Sequence, residues 1–159
     1  ERLSLTATAY TPRTDDVLRD RQNPPSMGIL ARQPVNAGQV RNDGLELSAE
    51  YQILRRPSLS WSVNAGYAYN RNEVVDLAGE PFIILDRFGS RIVEGYPVSG
   101  KWERVTIGET ADGFPIASDT VQYIGPSVPP HTGRFGTTLT LGQLTLQANA
   151  QFAMGHYGW

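Results

Sequence analysis

The chain has 159 residues and a formal net charge of −2 at a sequence pI of about 5.7, and its Lys and Arg residues are scattered, so it lacks the basic footprint of a nucleic-acid binder. With no cysteine it holds neither a disulfide framework nor a thiolate metal site. No apolar run approaches the roughly 18 to 20 residues of a membrane helix, yet this says nothing against a membrane β-barrel, whose strands alternate and keep hydropathy low.

Residues 2–10 alternate Leu3, Leu5, Ala7 and Ala9 with Arg2, Ser4, Thr6 and Thr8, a period of two that predicts a strand. Residues 13–39 are charged, proline-bearing and aperiodic, far longer than an ordinary hairpin connection, and read as a loop. From Leu45 the odd positions Leu45, Leu47, Ala49, Tyr51 and Ile53 alternate with Glu46, Ser48, Glu50 and Gln52. After a short turn around Pro57 and Ser58 the pattern resumes through Trp61, Val63, Ala65, Tyr67 and Tyr69 against Ser60, Ser62 and Asn64. These two runs, residues 42–54 and 59–72, predict a long hairpin with one apolar and one polar face.

A second irregular stretch, residues 74–132, is punctuated by Gly95-Tyr96-Pro97, Asp112-Gly113 and Pro129-Pro130, with short strands near Ile83 and Ile92 and no helix expected. Residues 133–141 and 144–155 then alternate again around Gly142-Gln143, a two-residue turn. The chain opens inside one alternation and stops just after another, without an initiator Met or signal peptide, and so reads as a piece of a longer protein.

Two regularities set the expected architecture as all-β, with antiparallel strands in up-and-down order. Short connections lie at one end of the sheet and long ones at the other, the arrangement of bacterial outer-membrane barrels. Of the 11 prolines, none interrupts a strand, as lipid requires by leaving no water to satisfy a broken ladder. The apolar face of all five predicted strands carries no charge, whereas Arg2, Glu46, Glu50 and Arg134 fall on the other. Tyr67, Tyr69 and Phe152 lie toward the long-loop ends and Trp61 near the short turns, suiting two interfacial girdles. The inward residues, Ser48, Asn64 and Gln147 among them, are expected to face an aqueous lumen.

Catalytic and metal chemistry finds little footing. His131 and His156 are the only histidines, expected outside the strands and lacking a second ligand at metal spacing. Asp15-Asp16 and the pair Asp112 and Asp119 do not follow a calcium-loop pattern. No cofactor, metal site or enzyme activity is expected.

The stretch from Asn36 to Leu47, with its N-x-G-x-x-x-N-x-G-x-E pattern, resembles the C-terminal barrel region of TonB-dependent outer-membrane receptors, most closely the SusC/RagA-like group. Gly95-Tyr96-Pro97 resembles that group's G-Y-P loop segment, and Tyr123-Ile124-Gly125 with Pro129 its Y-x-G-x-x-x-P approach to the next strand. The continuation Val98-Ser99-Gly100-Lys101-Trp102 matches the group's aromatic and glycine pattern only in part. The resemblance implies a segment of a barrel of about 22 strands, with the plug domain and TonB box outside this chain. It further implies import of a glycan, peptide or siderophore-class nutrient across the outer membrane. The implied partners are outer-membrane lipid, the TonB-ExbB-ExbD complex acting through the plug, a SusD-like surface lipoprotein and the nutrient ligand.

Tyr96, Trp102, Phe114 and Tyr123, set among charged residues of the long loop, are the candidate ligand-binding residues, since rigid scaffolds commonly carry recognition on their loops. A soluble carbohydrate-binding β-sandwich, burying the same apolar face against a second sheet, is one alternative. A passive porin without a plug is the other.

Overall fold

The period-two runs become long strands in the computed structural model, which describes residues 2–15, 18–22, 32–36, 38–79, 82–84 and 91–157. In chain order these strands are β1 (Leu3–Tyr10), β2 (Arg13–Asp15), β3 (Leu18–Gln22), β4 (Arg32–Asn36), β5 (Gln39–Arg56), β6 (Leu59–Asp76), β7 (Ile83–Ile84), β8 (Arg91–Ile92), β9 (Gly100–Glu103), β10 (Thr106–Glu109), β11 (Pro115–Ala117), β12 (Gln122–Pro126), β13 (His131–Leu141) and β14 (Leu144–Met154). The main sheet runs β1-β5-β6-β13-β14, with β2 added against β5. The remaining strands pair as β3 with β4, β7 with β8, β9 with β12 and β10 with β11.

Two compact units divide the chain: a wall (Glu1–Thr11, Asp43–Arg71 and Pro126–Trp159) and a loop unit (Pro12–Asn42 and Asn72–Gly125).

In the wall, register places like with like. Leu139 stands between Trp61 and Leu146, Phe135 between Ala65 and Ala150, and Leu5 opposite Ala49. On the other face Thr138 stands between Ser62 and Gln147, Gly136 between Asn64 and Asn149, and Ser4 opposite Glu50. A shift of one residue would exchange these faces completely, so the separation of an apolar from a polar face is what fixes the pairing. Leu5 is 69% exposed and Leu146 52%. Among the described residues no second sheet covers this apolar face; the only buried hydrophobic side chains, Val74 and Leu77, belong to the loop unit. The sandwich alternative, which buries these side chains in protein, is therefore not favoured.

One polar side chain on the apolar face is satisfied locally. Thr137 Oγ1 accepts from the Trp61 indole Nε1–H at 2.8 Å and stands 3.3 Å from the Ser62 carbonyl, to which it donates, leaving neither group to be desolvated alone in hydrocarbon. The wall also holds glycines opposite large side chains. A Cβ on Gly133 would fall on the Phe152 ring, and one on Gly44 on the Tyr10 ring; both pairs are cross-strand partners. Each ring occupies the space that a side chain on the facing glycine would fill.

The two short turns sit together. Gly142, at a φ of +59°, adopts the left-handed conformation that a two-residue hairpin turn demands. Its N–H donates to the Ser58 carbonyl at 2.9 Å. Prolines are absent from β1, β5, β6, β13 and β14, while Pro115 and Pro126 occupy the first place of β11 and the last of β12, where a missing N–H breaks little of a ladder. Pro34 lies inside β4, in the stretch that sequence pattern assigns to an irregular loop.

The position of His131 corrects an expectation. It is the first residue of β13 and falls on the apolar face, opposite Tyr69 and Met154. Tyr67 Oη lies 2.7 Å from His131 Nδ1, and the Tyr69 and His131 rings are 5.0 Å apart. The imidazole is thereby part of an aromatic group at the long-loop ends of the strands.

Candidate functional site

The loop unit is anchored where β6 ends. Val74 N–H donates to the Tyr96 carbonyl at 2.9 Å and Gly95 N–H donates back to the Val74 carbonyl at 2.8 Å. Gly95 has a φ of +82°, a left-handed turn that returns the chain so that Tyr96 and Pro97 lie along the strand end. The Asn72 side chain then ties three segments together. Its Nδ2–H donates to Asn42 Oδ1 at 2.6 Å, and its Oδ1 accepts from Val98 N–H at 2.8 Å.

The motif residues acquire physical reasons from this arrangement. Gly38 has a φ of +103°, and a Cβ there would stand 2.9 Å from the Asp76 carbonyl oxygen. Only glycine permits both the conformation and the approach.

Three of the four candidate ligand-binding residues come together on this anchor. Tyr96 precedes the turn to β9, Trp102 lies on β9 and Tyr123 on β12, and the pairing of β9 with β12 closes the group. Ring centroids are 4.8 Å apart for Tyr96 and Trp102, 4.8 Å for Tyr96 and Tyr123, and 5.3 Å for Trp102 and Tyr123. Interplanar angles run from 56° to 66°, the tilted arrangement favoured by aromatic quadrupoles.

Gly100 forms the floor: a Cβ there would meet Trp102 Nε1 at 3.1 Å, the Pro97 carbonyl oxygen at 3.2 Å and the Tyr123 ring at 3.3 Å. Trp102 Nε1 is shielded from solvent and has no hydrogen-bond partner. Beside it, Lys101 Nζ pairs with Glu103 Oε1 at 3.0 Å.

Burial pushes the Tyr123 phenol above the ordinary tyrosine value, and the neighbouring Tyr96 adds to the shift. A raised folded-state pKa favours the protonated form, so its contribution to stability is complete below the unfolded pKa and is lost as pH rises through the folded one. The cluster is expected to stay intact from pH 5 to 9 and to loosen above about pH 10. Ultraviolet titration of tyrosinate, compared with Tyr123→Phe, checks this: a late-titrating phenol is expected to vanish in the variant.

Phe114 stands apart from the trio, at the turn between β10 and β11 and 68% exposed. Sequence reasoning missed Asn72 and Gly100. Asn72 carries no signal beyond its place at the end of an alternating run, and Gly100 is one of 16 glycines with an ordinary backbone conformation. Among the described residues no group of three or more His, Asp or Glu side chains is placed to hold a metal ion.

Comparison with known proteins places this geometry. The family model "TonB dependent receptor-like, beta-barrel" matches residues 1–158. TonB-dependent receptor P39 of Formosa agariphila is 33% identical over 79 residues, covering 50% of this chain and 8% of that protein. TonB-dependent receptor P26 of the same organism is 30% identical over 105 residues, covering 66% of this chain and 10% of that protein. Among solved structures, the RagAB peptide transporter superposes with a TM-score of 0.79 at 27% identity, over 97% of this chain and 19% of that one. The RagAB peptide importer in its closed-closed state superposes at 0.78, with 26% identity over 98% of this chain and 19% of that one. The chain thus spans a small part of each relative. It belongs to the TonB-dependent receptor family, as part of the β-barrel that these receptors place in the outer membrane of Gram-negative bacteria.

Proposed function

We propose that the parent protein imports a peptide-class nutrient, with this segment supplying barrel wall and ligand-facing loop. The observation that carries the reading is the uncovered apolar face of the wall, together with an ordered aromatic cluster in the loop unit, in a chain similar to the RagAB peptide transporter over 97% of its length. Energy reaches the receptor from the TonB-ExbB-ExbD complex through a plug domain, and a SusD-like lipoprotein sits at the surface. Its relatives are receptors and importers rather than enzymes.

The cluster supports a peptide over a glycan or siderophore. Rings tilted by 56° to 66° offer edges and two phenol groups, not the coplanar platform on which sugar rings lie. Edges and hydroxyls suit amide groups and apolar side chains.

The test is peptide binding by the full-length receptor. Trp102→Ala is expected to weaken binding of a mixed oligopeptide pool at least tenfold, while Gln147→Arg on the inner wall leaves it within twofold. Unchanged binding in the Trp102 variant removes the cluster from ligand recognition. Uptake that persists after deletion of the TonB complex favours the passive porin.

A further inference from the structure

A basic pair stands at the short-turn end of the wall. Arg55 and Arg56 close β5, both exposed, and neither makes an ion pair with a described residue. Residues 51–63 and 137–147, which form the ends of the two hairpins, contain no other charged side chain. Glu50, the nearest carboxylate along the chain, falls on the polar face opposite Ser4. Short connections of outer-membrane barrels face the periplasm, so an uncompensated double charge lies at the level of the periplasmic leaflet, where it attracts an anion.

Beside this pair the apolar face is hollowed. Trp61, Thr137, Leu139, Leu146 and Ala148, with Gln147 from the other face, line a depression of about 300 Å³. Leu139 stands level with Trp61 and Leu146, and Thr137 with Ala148. The hollow therefore runs along the strands, starting about 7 Å above the turns, two residues at the rise of a strand. Thr137 Oγ1 and the Trp61 indole are bonded to each other, so the side chains on this face offer a ligand no free hydrogen-bonding group. Such a lining suits a hydrocarbon chain.

One side chain ties the two features together. Gln52 Nε2–H donates to the Leu54 carbonyl at 2.6 Å and to the Trp61 carbonyl at 3.0 Å, so the segment leading into Arg55 is held beside the residue that walls the hollow. The neighbouring turn, joined through the Gly142 N–H and the Ser58 carbonyl, brings no charge of its own. All of these residues belong to the wall unit.

We infer that this corner of the wall binds an anionic glycerophospholipid of the periplasmic leaflet. The phosphate is held by the Arg55 and Arg56 guanidiniums, whose planar forks match its oxygens, and one acyl chain lies in the hollow against Trp61, Leu139 and Leu146. The arginine stems run along the apolar edge while their heads reach the headgroup layer. The Trp61 ring takes the boundary between the two, the depth at which amphipathic rings settle. A free phosphate would meet the same guanidiniums and leave the hollow empty. A zwitterionic lipid would fill the hollow and gain less from the two charges. Headgroup and chain act together here, unlike the general contact of the apolar face with lipid.

The test uses the full-length receptor in phosphatidylethanolamine vesicles that carry a small, equal fraction of brominated-chain phosphatidylglycerol or brominated-chain phosphatidylethanolamine, since bromine quenches an indole that it touches. The Trp61 signal is the difference between the unaltered receptor and Trp61→Phe. Phosphatidylglycerol is expected to quench it at a mole fraction about tenfold lower than phosphatidylethanolamine does, the scale of two arginines near an anionic surface. Arg55→Gln with Arg56→Gln is expected to abolish the preference, and so is Ala148→Phe, which fills the hollow. Soluble glycerol phosphate at millimolar concentration is expected to leave it unchanged. Equal quenching by the two lipids overturns the inference, as does a preference that survives the double arginine variant. A preference that survives Ala148→Phe, or that glycerol phosphate erases, shows that the site reads phosphate alone and overturns the lipid assignment.

Discussion

Ala148→Arg is expected to cost the assembled barrel about 2 to 4 kcal/mol, the range for a basic side chain on the lipid face near the bilayer midplane. Gln147→Arg, one position earlier, is expected to cost less than about 1 kcal/mol, the scatter of a surface substitution. The two positions share strand β14 and nearly the same depth. They differ in face: Ala148 lies opposite Thr137 on the side shared with Leu139 and Leu146, while Gln147 lies opposite Thr138.

An arginine at 148 places a guanidinium among acyl chains, too near the centre for its stem to reach either interface fully. At 147 it meets water and polar neighbours. Denaturant titration of the full-length receptor in lipid vesicles, together with the heat-modifiable fraction in outer membranes, reads the difference. Equal costs at the two positions would remove lipid from the apolar face.

Asn72→Ala is expected to open the base of the loop unit. The amide loses its bonds to Asn42 and Val98 at once, and each half-buried group left without a partner costs about 1 to 3 kcal/mol. Part of that is recovered by water, so a local loss of about 2 to 4 kcal/mol follows from the same range. At about 1.4 kcal/mol per tenfold change, amide exchange at Val98 is expected to accelerate at least tenfold, with faster proteolytic nicking between residues 95 and 125. Exchange in β13 and β14 is expected to stay within twofold. Asn72→Asp keeps the acceptor for Val98 N–H and loses only the donor toward Asn42, so it falls between. Unaltered exchange at Val98 in Asn72→Ala would show that the turn at Gly95 holds this segment by itself.

The wall was legible in the sequence because one physical demand governs every position in it. Lipid on one side and water on the other impose a strict alternation, and Leu45 through Gln52 spell it out without reference to any distant residue. The loop unit has no such rule. β9 meets β12 across the whole β10–β11 hairpin, and Lys101-Trp102-Glu103 carries no period that names its partner. The four loop aromatics looked alike as isolated rings among charges. Pairing of β9 with β12 brings Tyr96, Trp102 and Tyr123 together, whereas the turn at Gly113 carries Phe114 away. His131 was hidden by the prolines before it: Pro129-Pro130 reads as loop, yet the ladder begins at the next residue, where the imidazole stacks on Tyr67 and lies at a tilt against Tyr69.

The seam between β6 and β13 is closed across residues 77–130, while β5–β6 and β13–β14 are each closed by a turn of two residues. The entropy of joining two chain ends grows only with the logarithm of their separation, about 0.6 kcal/mol for each doubling. Insertions within that span therefore burden the seam very little, whereas one extra residue in either tight turn would displace an entire register. Among receptors of this family, changes of length and composition can therefore accumulate in the span, with the membrane-embedded ribbon left as it is.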